Sequence, residues 1–164
     1  MRIIPFACAL VLSASGIALA APPAGCDDLR GQPINFNVKW PQVWQAWTEQ
    51  SNCTQNCHLG GAPSGDLDLS SLMISIYFLV GQSSSQAPDE LRIDPGFARR
   101  SLLFHKINCS SPGVGGRMPP GGSMSPALQG LVYDWIAQGA RGESPKDPIS
   151  RDFLFSGDLE SLRR

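Results

Sequence analysis

The sequence predicts a small all-α domain with extended loops, and three observations point there. Apolar residues recur at helical spacing twice, at Trp40, Val43, Trp44 and Trp47 and again at Leu128, Leu131, Val132, Trp135 and Ile136. No stretch alternates polar and apolar residues in the manner of a half-buried strand, and no internal repeat is visible. Between the two stripes lie segments rich in glycine and proline, which the chain carries at 17 and 14 copies, enough to make its loops long and its own apolar core modest.

The elements follow in chain order. Residues 1–20 read as a signal peptide: Arg2 supplies the positive end, Ile3 to Ala20 is mostly apolar, and Ala18-Leu19-Ala20 is a small-x-small cleavage site. Ser13, Ser15 and Gly16 interrupt that run, which disfavours a membrane anchor. The mature protein is therefore expected to be periplasmic or secreted. Ala24-Gly25-Cys26 resembles a lipid-attachment site in its small residues, but Pro23 stands where an aliphatic residue is usual. Residues 21–37 form an extended leader, 38–141 the domain proper, and 142–164 a polar, proline-containing tail.

Within the domain, Pro41 suits the first turn of a helix carrying the tryptophan stripe, which reads as core. Gly60 to Gly65 is a turn-rich loop, and Leu67, Leu69, Leu72 and Ile76 suggest short helical or extended packing. Gln82 to Asp89 is a polar surface loop. Pro95-Gly96 marks a turn before a short helix over 97–106 with Leu102 and Leu103 inward. Ser111 to Ser123 has neither helical nor strand period. Ser125 caps the closing helix, Pro126 fills its first position, and Gly139 stops it.

Cys53-Thr54-Gln55-Asn56-Cys57-His58 is one residue longer than the Cys-x-x-Cys-His signature of c-type haem attachment. In that signature two thiols bond the porphyrin vinyl groups and the neighbouring imidazole reaches the iron. On a helical turn of about 100° per residue, positions three or four apart both keep the sulfurs on one face. Cys57-His58 is intact, so the second thioether and the proximal ligand keep their usual relation. The distal ligand is open among Met73, Met118, Met124 and His105, of which Met118 stands in a stiff Gly/Pro loop suited to presenting its sulfur.

Loss of the signal peptide removes Cys8 and leaves Cys26, Cys53, Cys57 and Cys109. If haem takes Cys53 and Cys57, then Cys26 and Cys109 are expected to pair in an oxidising compartment. The formal net charge of −1 and the lack of a basic run argue against a nucleic-acid partner. Leu69 to Val80 is apolar but too short to span a membrane.

Six segments together resemble a family of small secreted bacterial cytochrome c-like domains: Cys53 to His58, Leu67-Asp68-Leu69-Ser70, Pro95-Gly96, Ser101 to Lys106, Arg117-Met118-Pro119, and Trp135 to Ala140. They occur in the family's order over residues 38–141. The resemblance implies a helical domain around one covalent haem c, with Cys53 and Cys57 as attachment sites, His58 as proximal ligand and Met118 as distal ligand. It implies an electron carrier rather than an enzyme, working with a redox partner protein. The extra residue between the cysteines departs from the family pattern and leaves open a single thioether through Cys57. Two other readings stay open: a disulfide-stapled secreted binding module without haem, and a zinc site built from Cys53, Cys57, His58 and either Cys109 or His105.

Overall fold

A computed structural model describes residues 21–50, 57–59 and 61–142 of the chain. The predicted signal peptide, Cys53 and the tail beyond residue 142 lie outside the described residues. Four α-helices are present among the described residues: α1 (Trp40–Gln50), α2 (Leu72–Leu79), α3 (Leu102–Asn108) and α4 (Pro126–Ala137). Single 3-10 turns occur at Ser64–Asp66 and Ala98–Arg100. No strand occurs among the described residues, only isolated bridges such as Val80 with Ile93, so the described part of the chain is helical, compatible with an all-α domain. No helix is long and apolar enough to cross a membrane among the described residues.

The core forms where α1 crosses α4. Trp40, Val43 and Trp47 supply one stripe, and Leu128, Val132, Trp135 and Ile136 the other, all buried. The Trp40 and Trp135 rings stack with centroids 4.7 Å apart. Their indole N–H groups do not go unpaired: Trp40 Nε1 donates to the Leu72 carbonyl at 2.8 Å and Trp135 Nε1 to the Arg141 carbonyl at 2.9 Å. Indoles satisfied in this way bury large apolar area without the penalty of a stranded donor.

The helix ends follow local chemistry. At α4, Ser125 accepts from the Leu128 N–H at 3.2 Å, Pro126 occupies the first turn, and Gly139 turns the chain out at φ 97°. At α1, the Gln42 side chain reaches back to the Lys39 N–H at 2.7 Å, half of a capping box. Ser71 caps α2 through the Ile74 N–H.

One expected element differs. Instead of one helix over 97–106, the chain makes a 3-10 turn, breaks at Ser101, and then runs as α3 to Asn108. Ser101 Oγ accepts from Asp94 N–H at 2.9 Å and donates to the Phe97 carbonyl at 3.1 Å, so it closes the turn on itself. The free N–H groups of Leu102 and Leu103 then pair with the Leu91 and Arg92 carbonyls at 3.1 and 2.9 Å. Those bonds lay the 91–93 segment against the start of α3.

The leader contains no helix, yet it is stitched to the domain. Leu29 and Val38 are buried. Asn35 N–H donates to the Asp134 carboxylate at 2.6 Å, Val38 N–H to Gln138 Oε1 at 3.1 Å, and Gln138 Nε2 back to the Asn35 carbonyl at 2.6 Å.

Candidate functional site

A cleft lies between His58, the 64–69 segment, α3 and Met118. It encloses about 690 Å³, counting space open to solvent. Leu67, Leu69, Leu79, Leu102, Leu103, Ile107 and Trp47 make its floor and walls, and His58 and Met118 both line it. Trp47 thus belongs to the core stripe and to the cleft at once.

The His58 wall is built from turns. Ser64 N–H donates to the Cys57 carbonyl at 2.8 Å, and Leu69 N–H to the His58 carbonyl at 2.7 Å. His58 Nδ1 stands 3.1 Å from the Leu67 carbonyl. A carbonyl only accepts, so the proton sits on Nδ1 and the Nε2 lone pair is left available. Burial pushes the His58 pKa below its ordinary value, against the opposing pull of the Leu67 and Ser64 backbone and with a smaller push from the charges of Lys106 and Arg92. The ring is therefore neutral at physiological pH, the form that binds a metal.

The Met118 wall is irregular in backbone but densely tied. Met118 N–H donates to the Lys106 carbonyl at 2.6 Å. Beside it, Arg117 forms an ion pair with Asp27 and also donates to the Ile107 carbonyl at 3.2 Å. Gln129 Nε2 reaches Asp27 at 2.7 Å, and Asn108 Nδ2 bridges Gln129 Oε1 and the Asp27 carbonyl at 2.8 and 3.1 Å. Burial alone would raise the Asp27 carboxyl pKa, but hydrogen bonds from Arg117 and Gln129 outweigh it and lower the pKa below the ordinary value. Next to this network Cys26 and Cys109 form a disulfide, S–S 2.01 Å, that joins residues 83 apart in sequence.

The other sequence candidates lie elsewhere. Met124 is buried in the core, and Met73 is 72% exposed on α2. His105 Nε2 meets the Arg99 carbonyl at 2.6 Å, and the ring lines a second hollow, beside the disulfide, of about 760 Å³ counting space open to solvent. Cys57 is exposed with its thiol in no disulfide. Cys53 lies outside the described residues. Of the two further zinc ligands considered, Cys109 is in the disulfide and His105 is in the separate hollow.

Two basic residues in the cleft carried no assigned role in the sequence reading. Arg92, 8% exposed, donates to the Phe78, Gly65 and Asp66 carbonyls at 3.0, 3.0 and 3.1 Å. Lys106 Nζ donates to the Val114 carbonyl at 2.7 Å. A signal for Lys106 was present, since it stands three and four residues after Leu103 and Leu102 and so shares their helix face. Arg92 has no comparable signal, because its burial depends on the pairing of 91–93 with α3. In donor chemistry the cleft fits a haem: one neutral imidazole, one thioether, apolar walls and a basic edge. Comparison of the chain with protein-family models, with curated proteins and with solved structures finds no match.

Proposed function

We propose that this chain is an exported c-type cytochrome, carrying one covalent haem and passing electrons to a redox partner protein. The observation that carries the reading is the meeting of His58 and Met118, far apart in sequence, in one apolar cleft, with Nδ1 of the imidazole 3.1 Å from the Leu67 carbonyl. Cys53 and Cys57 would attach the porphyrin, and His58 and Met118 would hold its iron. When bound, haem supplies a one-electron couple whose potential a thioether ligand raises.

The chain's own residues do the rest. The Leu67 carbonyl keeps the proton on Nδ1 and raises the basicity of the opposite nitrogen, the usual task of an outer partner to a ligating histidine. Leu69, Leu79, Leu102 and Ile107 exclude water. The bond from Met118 N–H to the Lys106 carbonyl fixes where the Met118 side chain starts.

The test is intact mass of the protein matured in a periplasm that has the haem-attachment machinery. The mass should exceed the bare polypeptide by one haem, and a pyridine haemochrome spectrum should report whether one or two thioethers formed. Met118→Ala should then change the visible spectrum and lower the potential. A bare mass would overturn the reading. It would favour a disulfide-stapled binding module without haem, for which the Cys26–Cys109 disulfide is the supporting observation.

A further inference from the structure

The cleft is apolar, yet the two charged residues that line it among the described residues are both cations. Among the described residues no aspartate or glutamate lines it, and neither Arg92 nor Lys106 forms an ion pair. Arg92 is buried and Lys106 half-buried, and charges so placed are ordinarily paired, so two cations against leucine walls point to an anion supplied from outside. The field of Asp66 reaches Arg92, but its carboxylate makes no ion pair with it.

The two cations are not equivalent. The Arg92 guanidinium already spends three bonds on backbone carbonyls, which clamps the 65–66 turn and keeps its charge in place. Lys106 has three donors and uses one on Val114, so it has donors to spare. Room around its ammonium is kept by Gly115, where a Cβ would come within 2.9 Å of Nζ.

We propose that Lys106, with the fixed charge of Arg92 in the same cleft, seats a carboxylate of the ligand that fills the cleft. This rests on the haem reading, in which that carboxylate is a propionate. The chemistry alone, an apolar body with a carboxylate at its edge, is shared by a porphyrin, which carries two, and by a fatty acid, which carries one. A charge-assisted bond of this kind is worth about ten- to a hundredfold in affinity.

The experiment titrates the full, disulfide-intact chain, without haem attachment, with hemin and with hemin dimethyl ester, and in parallel with laurate and dodecanol. Wild type should prefer hemin to the ester by about ten- to a hundredfold. Lys106→Gln should lose that preference while its affinity for the ester stays the same, and Lys106→Arg should restore it. Hemin that binds wild type and its ester equally, or a preference that survives in Lys106→Gln, overturns the carboxylate seat and leaves the haem reading standing. No hemin binding, together with a laurate preference that Lys106→Gln abolishes, sinks the haem reading and supports the seat. Indifference of wild type to either carboxylate overturns the seat. Should Lys106→Gln fail to fold, the wild-type comparison of acid with ester decides alone.

Discussion

The two walls of the cleft are held in opposite ways. The Met118 wall has no regular backbone, yet it is tied to distant parts of the chain: Arg117 to Asp27, Asp27 to Gln129 and Asn108, and the neighbouring leader segment to the end of α3 through the disulfide. The His58 wall closes on itself through bonds among Cys57, His58, Ser64, Leu67 and Leu69. Its ties to the body are the Arg92 clamp, a Ser85 hydroxyl bond to the Gly65 carbonyl, and packing of Leu67 and Leu69. Backbone irregularity is therefore a poor guide to rigidity. What matters is whether a segment is cross-linked to distant parts of the chain, and of these links only the disulfide persists on unfolding, where closing so long a loop removes freedom from the unfolded chain.

The largest expected effect is on the Met118 wall. Replacing Cys26 and Cys109 together by serine opens a loop of 83 residues, for which the chain-entropy model gives about 4.5 kcal/mol as an upper figure. Denaturant unfolding should register the loss, and amide exchange should rise around 117–118 more than around 67–69. Equal loosening of both walls would break the comparison.

Trp135→Ala should act on both walls together, since Trp135 supports the α1–α4 core from which Trp47 reaches the cleft. The cost should be about 3 to 5 kcal/mol, as for an aromatic truncated in a packed core. A change below about 1 kcal/mol in denaturant unfolding would remove Trp135 from the core.

The smallest effect, and the sharpest separation, comes from pH. His58 and Asp27 both have pKa values lowered by folding, so each contributes stability that is present above its unfolded pKa and lost as pH falls towards the folded one. Unfolded histidine titrates near about 6.5 and aspartate near about 3.9. In the haem-free protein the His58 wall should loosen first, below about pH 6.5, and the Met118 wall only below about pH 4. Because the Asp27 side chain is 37% exposed, its share is discounted to about 1 kcal/mol or less. NMR titration that placed the His58 midpoint above about 6.5, or an Asp27→Asn variant that kept its acid sensitivity below pH 4 unchanged, would erase the distinction.

Much of the scaffold was legible in the residues. The closing helix begins and ends where Ser125, Pro126 and Gly139 put it, because a cap, a locked φ and a left-handed turn are properties of single residues and their near neighbours. The tryptophan stripe and the Leu128 to Ile136 stripe are likewise periodicities of one helix, readable without a partner. The helix expected over 97–106 failed at Ser101, because the carbonyls that replace its first-turn bonds belong to Leu91 and Arg92, outside the helix.

The site divides along the same line. Cys57, His58 and the stiff loop around Met118 announce themselves by local chemistry and spacing, and so did the pool of alternative ligands. Which of Met73, Met118, Met124 and His105 lines a cleft with His58, and that Arg92 lies buried in the wall of the same cleft, was decided only by tertiary structure. A side chain's destination is set by contacts between distant segments, here by the pairing of 91–93 with α3 and by the cross-links from the leader to the 108–118 region, and no local propensity encodes those.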